Sequence, residues 1–259
     1  MSPVALHSVV DGPDDAPVLV LGSSIGTSTA LWEPQVPALA RRFRVVRYDH
    51  RGHGRSPVPA GPYELADLGG DVIALLDRLG VQRAHVGGLS LGGMVAMWVA
   101  AHAPERVDRL ALLCTSAKLG PPELWAGRAA SVQAGGMPAI ADSVVARWFP
   151  EGFADDGTVA RMREVLLATP PEGYAACCAA IEVMDLEPVL PTITAPTLVI
   201  AGGDDPATPP EHAERIAAAV PAARLVVLDG AAHLANLSHP DDVTRLLLEF
   251  LEASERNHA

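Results

Sequence analysis

The stretch best suited to chemistry is Gly88-Leu89-Ser90-Leu91-Gly92, a serine with glycine at both second neighbours. In a strand-to-helix turn this tight, side chains at the flanking positions would collide. Glycine removes the Cβ and tolerates the strained dihedrals. The Ser90 hydroxyl is then pushed into the open as a nucleophile, and the helix starting near Leu91 aims unpaired backbone N–H groups at the same spot. The other reading is a packing turn with Ser90 as an ordinary cap. The short strand signal at residues 83–87 and the apolar run at 94–101 favour the nucleophile.

A serine hydroxyl attacks a carbonyl only when a base removes its proton, so a histidine and an orienting acid are required. In open α/β sheets functional loops gather at the carboxyl ends of strands. Two later strand signals end in suitable loops, Gly202-Gly203-Asp204-Asp205-Pro206 and Asp229-Gly230-Ala231-Ala232-His233. Of nine histidines, His233 has that position; His50 and His53 lie in an Arg/Gly loop and read as loop-stabilising, His85 falls on a strand, and His102 ends a helix. His7, His212, His239 and His258 lack a strand end beside an acid loop. The side chains of adjacent Asp204 and Asp205 should diverge, so only one of them can orient His233.

The elements that must hold these residues follow from periodicity. Apolar runs of strand length at residues 4–10, 16–21, 43–48, 83–87 and 107–114 alternate with helical patterns at 32–42, 65–79 and 91–101. From 117 to about 190 only helical patches occur, at 123–134, 137–148, 158–168 and 172–184. Strands at 195–201 and 223–228 and helices at 210–220 and 241–253 complete the chain. Such alternation implies a mostly parallel sheet of about seven strands, covered by helices on both faces. We expect an α/β core of residues 1–116 and 191–259, with 117–190 as an inserted helical cap.

Composition narrows the function classes. A net charge of −12 lacks the basic footprint that nucleic acid requires, and it makes any anionic substrate depend on a local cationic pocket. No apolar run reaches membrane-spanning length, and the first residues carry neither a basic nor a long apolar signal region, so a cytoplasmic protein is expected. Cys114, Cys177 and Cys178 have no metal spacing and read as buried reduced thiols.

These motifs together resemble the α/β-hydrolases, whose G-x-x-D acid loop matches Gly202 to Asp205 and so selects Asp205 over Asp204. More narrowly, Trp32-Glu33-Pro34-Gln35-Val36-Pro37, Tyr48-Asp49-His50-Arg51-Gly52-His53-Gly54-Arg55-Ser56, Ala117-Lys118-Leu119-Gly120-Pro121-Pro122, Thr169-Pro170-Pro171-Glu172-Gly173-Tyr174 and Asp205-Pro206-Ala207-Thr208-Pro209-Pro210 are similar to the 3-oxoadipate enol-lactonases. The resemblance implies a Ser90, Asp205 and His233 triad acting without metal or organic cofactor on a small anionic lactone. It also implies an oxyanion hole from the backbone N–H groups of Ser24 and Leu91. The first of these departs from pattern, because Gly22-Ser23-Ser24-Ile25-Gly26 stands where the family usually has His-Gly-x-x-Gly. The substrate carboxylate would need a cap arginine; among Arg128, Arg147, Arg161 and Arg163 we expect Arg128, with Trp148 rather than Trp125 lining the pocket, although each could equally be surface charge or cap core. The same scaffold serves broader carboxylesterases, C–C bond hydrolases, perhydrolases and non-catalytic ligand receptors. A dehalogenase of the usual kind is excluded, since it needs an aspartate where this chain has Ser90.

Overall fold

The computed structural model describes residues 1–252. Among the described residues, seven strands form one sheet: β1 (Ser8–Asp11), β2 (Val18–Gly22), β3 (Arg44–Tyr48), β4 (Ala84–Leu89), β5 (Val107–Leu113), β6 (Thr197–Gly202) and β7 (Ala223–Leu228). Their order is β1-β3-β2-β4-β5-β6-β7, with β1 antiparallel to β3 and every other pair parallel. The central strands β4 and β6 are buried along their whole length, as expected for strands covered on both faces.

Ten helices accompany the sheet among the described residues: α1 (Val36–Leu39), α2 (Leu65–Arg78), α3 (Leu91–His102), α4 (Pro122–Gly135), α5 (Ala141–Val145), α6 (Asp156–Leu167), α7 (Pro171–Val183), α8 (Pro210–Ala219), α9 (Ala235–Ser238) and α10 (Pro240–Glu252). Helix α2 starts with a capping box in which the Glu64 side chain takes a backbone N–H and Asp67 returns a bond to the Glu64 N–H at 2.9 Å. Its apolar face, Leu68, Val72, Leu75 and Leu76, is buried. Helix α3 is apolar on nearly every face and sits in the core next to β4 and β5. Helices α4 to α7 lie between β5 and β6 in the chain, and α4 packs chiefly on α7.

Three elements differ from expectation. The helix expected over 32–42 is broken into a 3₁₀ turn, Thr29–Trp32, and the single turn of α1. Pro34 and Pro37 lack the N–H groups a continuous helix would use. What fixes this segment instead is side-chain bonding: Trp32 Nε1 donates to Gly22 O at 3.2 Å, Gln35 Nε2 donates to Asn236 O at 2.8 Å, and Asn236 Nδ2 donates to Leu31 O at 2.7 Å. The patch at 137–148 is a 3₁₀ turn, Met137–Ala139, followed by the short α5. The first strand is Ser8–Asp11 rather than 4–10, because pairing with β3 begins only at Ser8↔Tyr48. The last residue expected in the closing helix, Ala253, lies outside the described residues.

Candidate active site

Ser90 stands between β4 and α3 with φ 57° and ψ −116°, a backbone conformation non-glycine residues rarely adopt. The turn is held by Ser90 N donating to Leu113 O at 2.9 Å and by Thr115 Oγ1 donating to Ser90 O at 2.7 Å. The flanking glycines are sterically required. A Cβ on Gly88 would lie 2.3 Å from the Gly92 carbonyl carbon, and one on Gly92 would lie 2.3 Å from the backbone of Gly22. The second contact brings the N-terminus of α3 against the end of β2, and Gly92 N donates to Ser23 O at 3.0 Å. The residues after β2 are thereby set beside Ser90.

The acid and histidine loops follow β6 and β7, whose ends pair as Gly202↔Leu228. Their backbones are cross-linked, Gly203 N to Leu228 O at 2.8 Å and Asp204 N to Ala231 O at 2.9 Å. Asp205 is buried and Asp204 exposed. Asp205 Oδ1 accepts from Ala207 N (2.8 Å) and Thr208 N (3.0 Å), while Oδ2 accepts from Thr208 Oγ1 (2.7 Å) and lies 2.8 Å from His233 Nδ1. Burial alone would raise the Asp205 pKa, but the His233 contact and the Thr208 hydrogen bonds outweigh it and hold the carboxyl below its ordinary value. The bond fixes the neutral imidazole as the Nδ1–H tautomer, with Nε2 free to accept a proton.

A small pocket is lined by Ser90 and His233 together with Ser24, Ile25, Leu119, Trp125, Arg128, Val144, Arg147, Trp148, Tyr174, Ala207 and Thr208. Both Arg128 and Arg147 reach it, and so do both Trp125 and Trp148. Arg161 and Arg163 do not line it; they pair at the surface with Glu33 and Asp142. The Arg128 guanidinium lies 4.4 Å from the Trp125 ring centroid. Arg147 Nε donates to Ser143 O at 3.1 Å, and burial followed by the nearby Arg128 charge lowers its pKa. Two cations thus share a small pocket in which neither forms an ion pair with a carboxylate among the described residues. Trp148 also ties the segment between α5 and α6 to the histidine loop, since Leu234 N donates to its carbonyl at 2.9 Å.

Two polar lining residues had no assigned part in the sequence reading. Thr208 contacts the acid, and Tyr174 is buried in the pocket wall with its hydroxyl close to the Arg128 guanidinium. Both stand in the family-like segments quoted above, which is the signal that could have found them. Among the described residues no cluster of histidine, cysteine, aspartate or glutamate is disposed to hold a metal.

Residues 17–240 match the alpha/beta hydrolase fold family. The chain belongs to the α/β-hydrolases. This hydrolase is 38% identical over 239 residues, 92% of its length and 89% of the relative's, to 3-oxoadipate enol-lactonase 2 of Acinetobacter baylyi. It is 33% identical, over 92% of this chain and 95% of the relative, to a Pseudomonas savastanoi protein with the provisional name carbamate hydrolase RutD. The crystal structure of the enol-lactonase from Burkholderia xenovorans LB400 superposes with a TM-score of 0.93 at 42% identity, covering 95% of this chain and 96% of that one.

Proposed function

We propose that this α/β-hydrolase opens the five-membered ring of 3-oxoadipate enol-lactone to give 3-oxoadipate, a step in the breakdown of aromatic compounds. The observation that carries the substrate class is the pair of guanidiniums, Arg128 and Arg147, sharing one small pocket with Ser90 and His233. An anion entering there relieves their mutual repulsion, and a neutral ester would not. Kinship to the A. baylyi and B. xenovorans lactonases supports the same reading.

In this reading His233 Nε2 takes the Ser90 proton as Ser90 Oγ attacks the lactone carbonyl. The resulting oxyanion is held by the backbone N–H groups of Ser24 and Leu91. The imidazolium, stabilised by Asp205, then protonates the ring oxygen as the C–O bond breaks. That oxygen leaves as an enol and becomes a ketone, so the opening does not reverse. Water deprotonated by His233 releases the acyl group from Ser90 as a carboxylate. Residues 117–190 act as the cap that supplies specificity, with Arg128 on the substrate carboxylate and Trp148 on the ring. No helix among the described residues is long and apolar enough to cross a membrane. The three free, buried cysteines accord with a cytoplasmic enzyme.

The test is Arg128→Ala. Loss of a hydrogen-bonded charge pair of about 1.5 to 3 kcal/mol raises KM for the carboxylated lactone by about one to two decades, while a neutral lactone of similar size is spared. Equal losses on both substrates would make Arg128 structural and transfer the role to Arg147.

A further inference from the structure

The loop from Asp49 to Ser56 buries five polar side chains that the proposed reaction does not use, among them Asp49, His50 and His53. All three reach the same segment, the turn that follows β2. His50 Nε2 lies 2.9 Å from Ser23 O, Gly26 N donates to His53 Nε2 at 2.9 Å, and Thr29 N donates to Asp49 Oδ1 at 2.8 Å. The partners fix the protons. A carbonyl only accepts, so His50 carries its hydrogen on Nε2; an amide N–H only donates, so His53 presents a bare Nε2 and keeps its hydrogen on Nδ1, toward Arg51 O at 3.3 Å. Burial pushes the His53 pKa down to about 4; burial and then the neighbouring His53 push His50 down to about 3. Both imidazoles are therefore neutral near pH 7.

The platform bearing these side chains is itself rigid. Arg51 makes a buried two-point ion pair with Asp71 of α2, at 2.6 and 2.7 Å, and Ser56 Oγ donates to Asp49 O at 2.6 Å. Between the two histidine contacts lie only Ser24 and Ile25, both lining the pocket. Gly26 has φ +77°, and a Cβ there would meet Leu166 and Tyr174. The His53 ring faces the Tyr174 ring at 6.3 Å, with Nδ1 3.9 Å from Cys177 Sγ, so His53 is wedged between the turn and α7.

We infer that His53, assisted by His50, is a positioning residue of the oxyanion hole: by accepting the Gly26 N–H it fixes the peptide orientation through Ser24 and Ile25, and thereby aims the first donor at the forming oxyanion. This rests on the reading of Ser90 as nucleophile and of that turn as its oxyanion donor. A serine- and glycine-rich turn has several peptide orientations of similar energy, and an oxyanion hole is effective only when its donors are aimed before charge develops. Without an acceptor, the Gly26 N–H would have to rotate toward a new partner, turning its neighbours with it.

The experiment compares His53→Leu with His53→Gln, since glutamine Oε1 reaches about as far as Nε2 and accepts the same bond. Steady-state kinetics on the enol-lactone are paired with the affinity of a trifluoromethyl ketone, which forms a tetrahedral oxyanion on Ser90, and of 3-oxoadipate, which does not. In the leucine variant kcat and trifluoromethyl ketone affinity fall together by about 10- to 100-fold, while KM and 3-oxoadipate affinity stay within about threefold. The glutamine variant recovers most of both losses. Should the leucine variant not fold, His53→Asn, whose carbonyl is too short to reach Gly26, takes its place. A folded variant without the acceptor that keeps its kcat, or one that loses ground-state and transition-state binding alike, overturns the inference. Phosphonate labelling at Ser90 in the wild type separates the two levels: absent labelling refutes the nucleophile itself, while labelling with an unchanged kcat in the variant refutes only the role of His53.

Discussion

Asp205→Asn probes the site where the hydrogen bonds are most fully specified. Both carboxylate oxygens are used twice, Oδ1 by Ala207 N and Thr208 N, Oδ2 by Thr208 Oγ1 and His233 Nδ1. An asparagine must turn its NH₂ toward one of these pairs. Toward the two backbone N–H groups it would set donors against donors that cannot move. Toward Oδ2 both partners can adapt: the Thr208 hydroxyl rotates, and His233 shifts its proton from Nδ1 to Nε2. The second arrangement wins, leaving His233 in the tautomer that cannot accept the Ser90 proton. The expected loss is about 10⁴-fold in kcat, or about 5 kcal/mol of transition-state stabilisation, with a stability cost of about 1 to 3 kcal/mol. Asp204→Asn is the control. Its side chain is exposed and its contribution to the loop is a backbone bond to Ala231 O, so kcat should stay within about twofold. Both variants are assayed by loss of lactone absorbance, with the fold checked by circular dichroism. A folded Asp205→Asn enzyme with near-normal kcat, or an Asp204→Asn enzyme that is the more damaged, refutes the reasoning.

Gly92→Ala should be severely destabilising, by about 3 kcal/mol or more, because its Cβ would meet the rigid backbone of Gly22 at 2.3 Å; a midpoint of urea unfolding within error of wild type would contradict the close packing of α3 on β2. Stability should also fall as the medium is acidified. His50, His53 and His85 have folded pKa values lowered by burial to about 3, 4 and 4 against an ordinary 6.5, so their contribution is present above about pH 6.5 and is lost as pH drops toward 4. Thermal melts between pH 7 and 4 should show this decline, with His53→Gln making it shallower; a flat profile would refute it.

Much of the candidate site was legible because local sequence encodes it. The G-x-S-x-G spacing around Ser90 reports a backbone approach that only glycine allows, and β4, α3 and the acid and histidine loops follow from apolar runs ending at polar turns. Asp205 and Asp204 could not be separated by periodicity, because the choice depends on which side chain the Leu228 to Ala231 backbone turns inward; the family-like loop pattern carried that distinction. Periodicity failed at 32–42, where two prolines leave a segment held by long-range bonds to Gly22 and Asn236, partners that no local window contains. The four arginines between β5 and β6 were equivalent in sequence for the same reason. Arg161 and Arg163 find surface acids at Glu33 and Asp142, while Arg128 and Arg147 converge on the pocket, and only the packing of α4 to α7 sorts them.

The central claim is tested most directly by kcat/KM of the purified protein on 3-oxoadipate enol-lactone, measured beside a p-nitrophenyl ester, a small carbamate and a ring-cleavage dienone. Formation of 3-oxoadipate with a kcat/KM at least about 100-fold above the other three, abolished in a folded Ser90→Ala variant, is the predicted result. Faster turnover of the carbamate, the ester or the dienone, or stoichiometric binding of the lactone without multiple turnover, would contradict it.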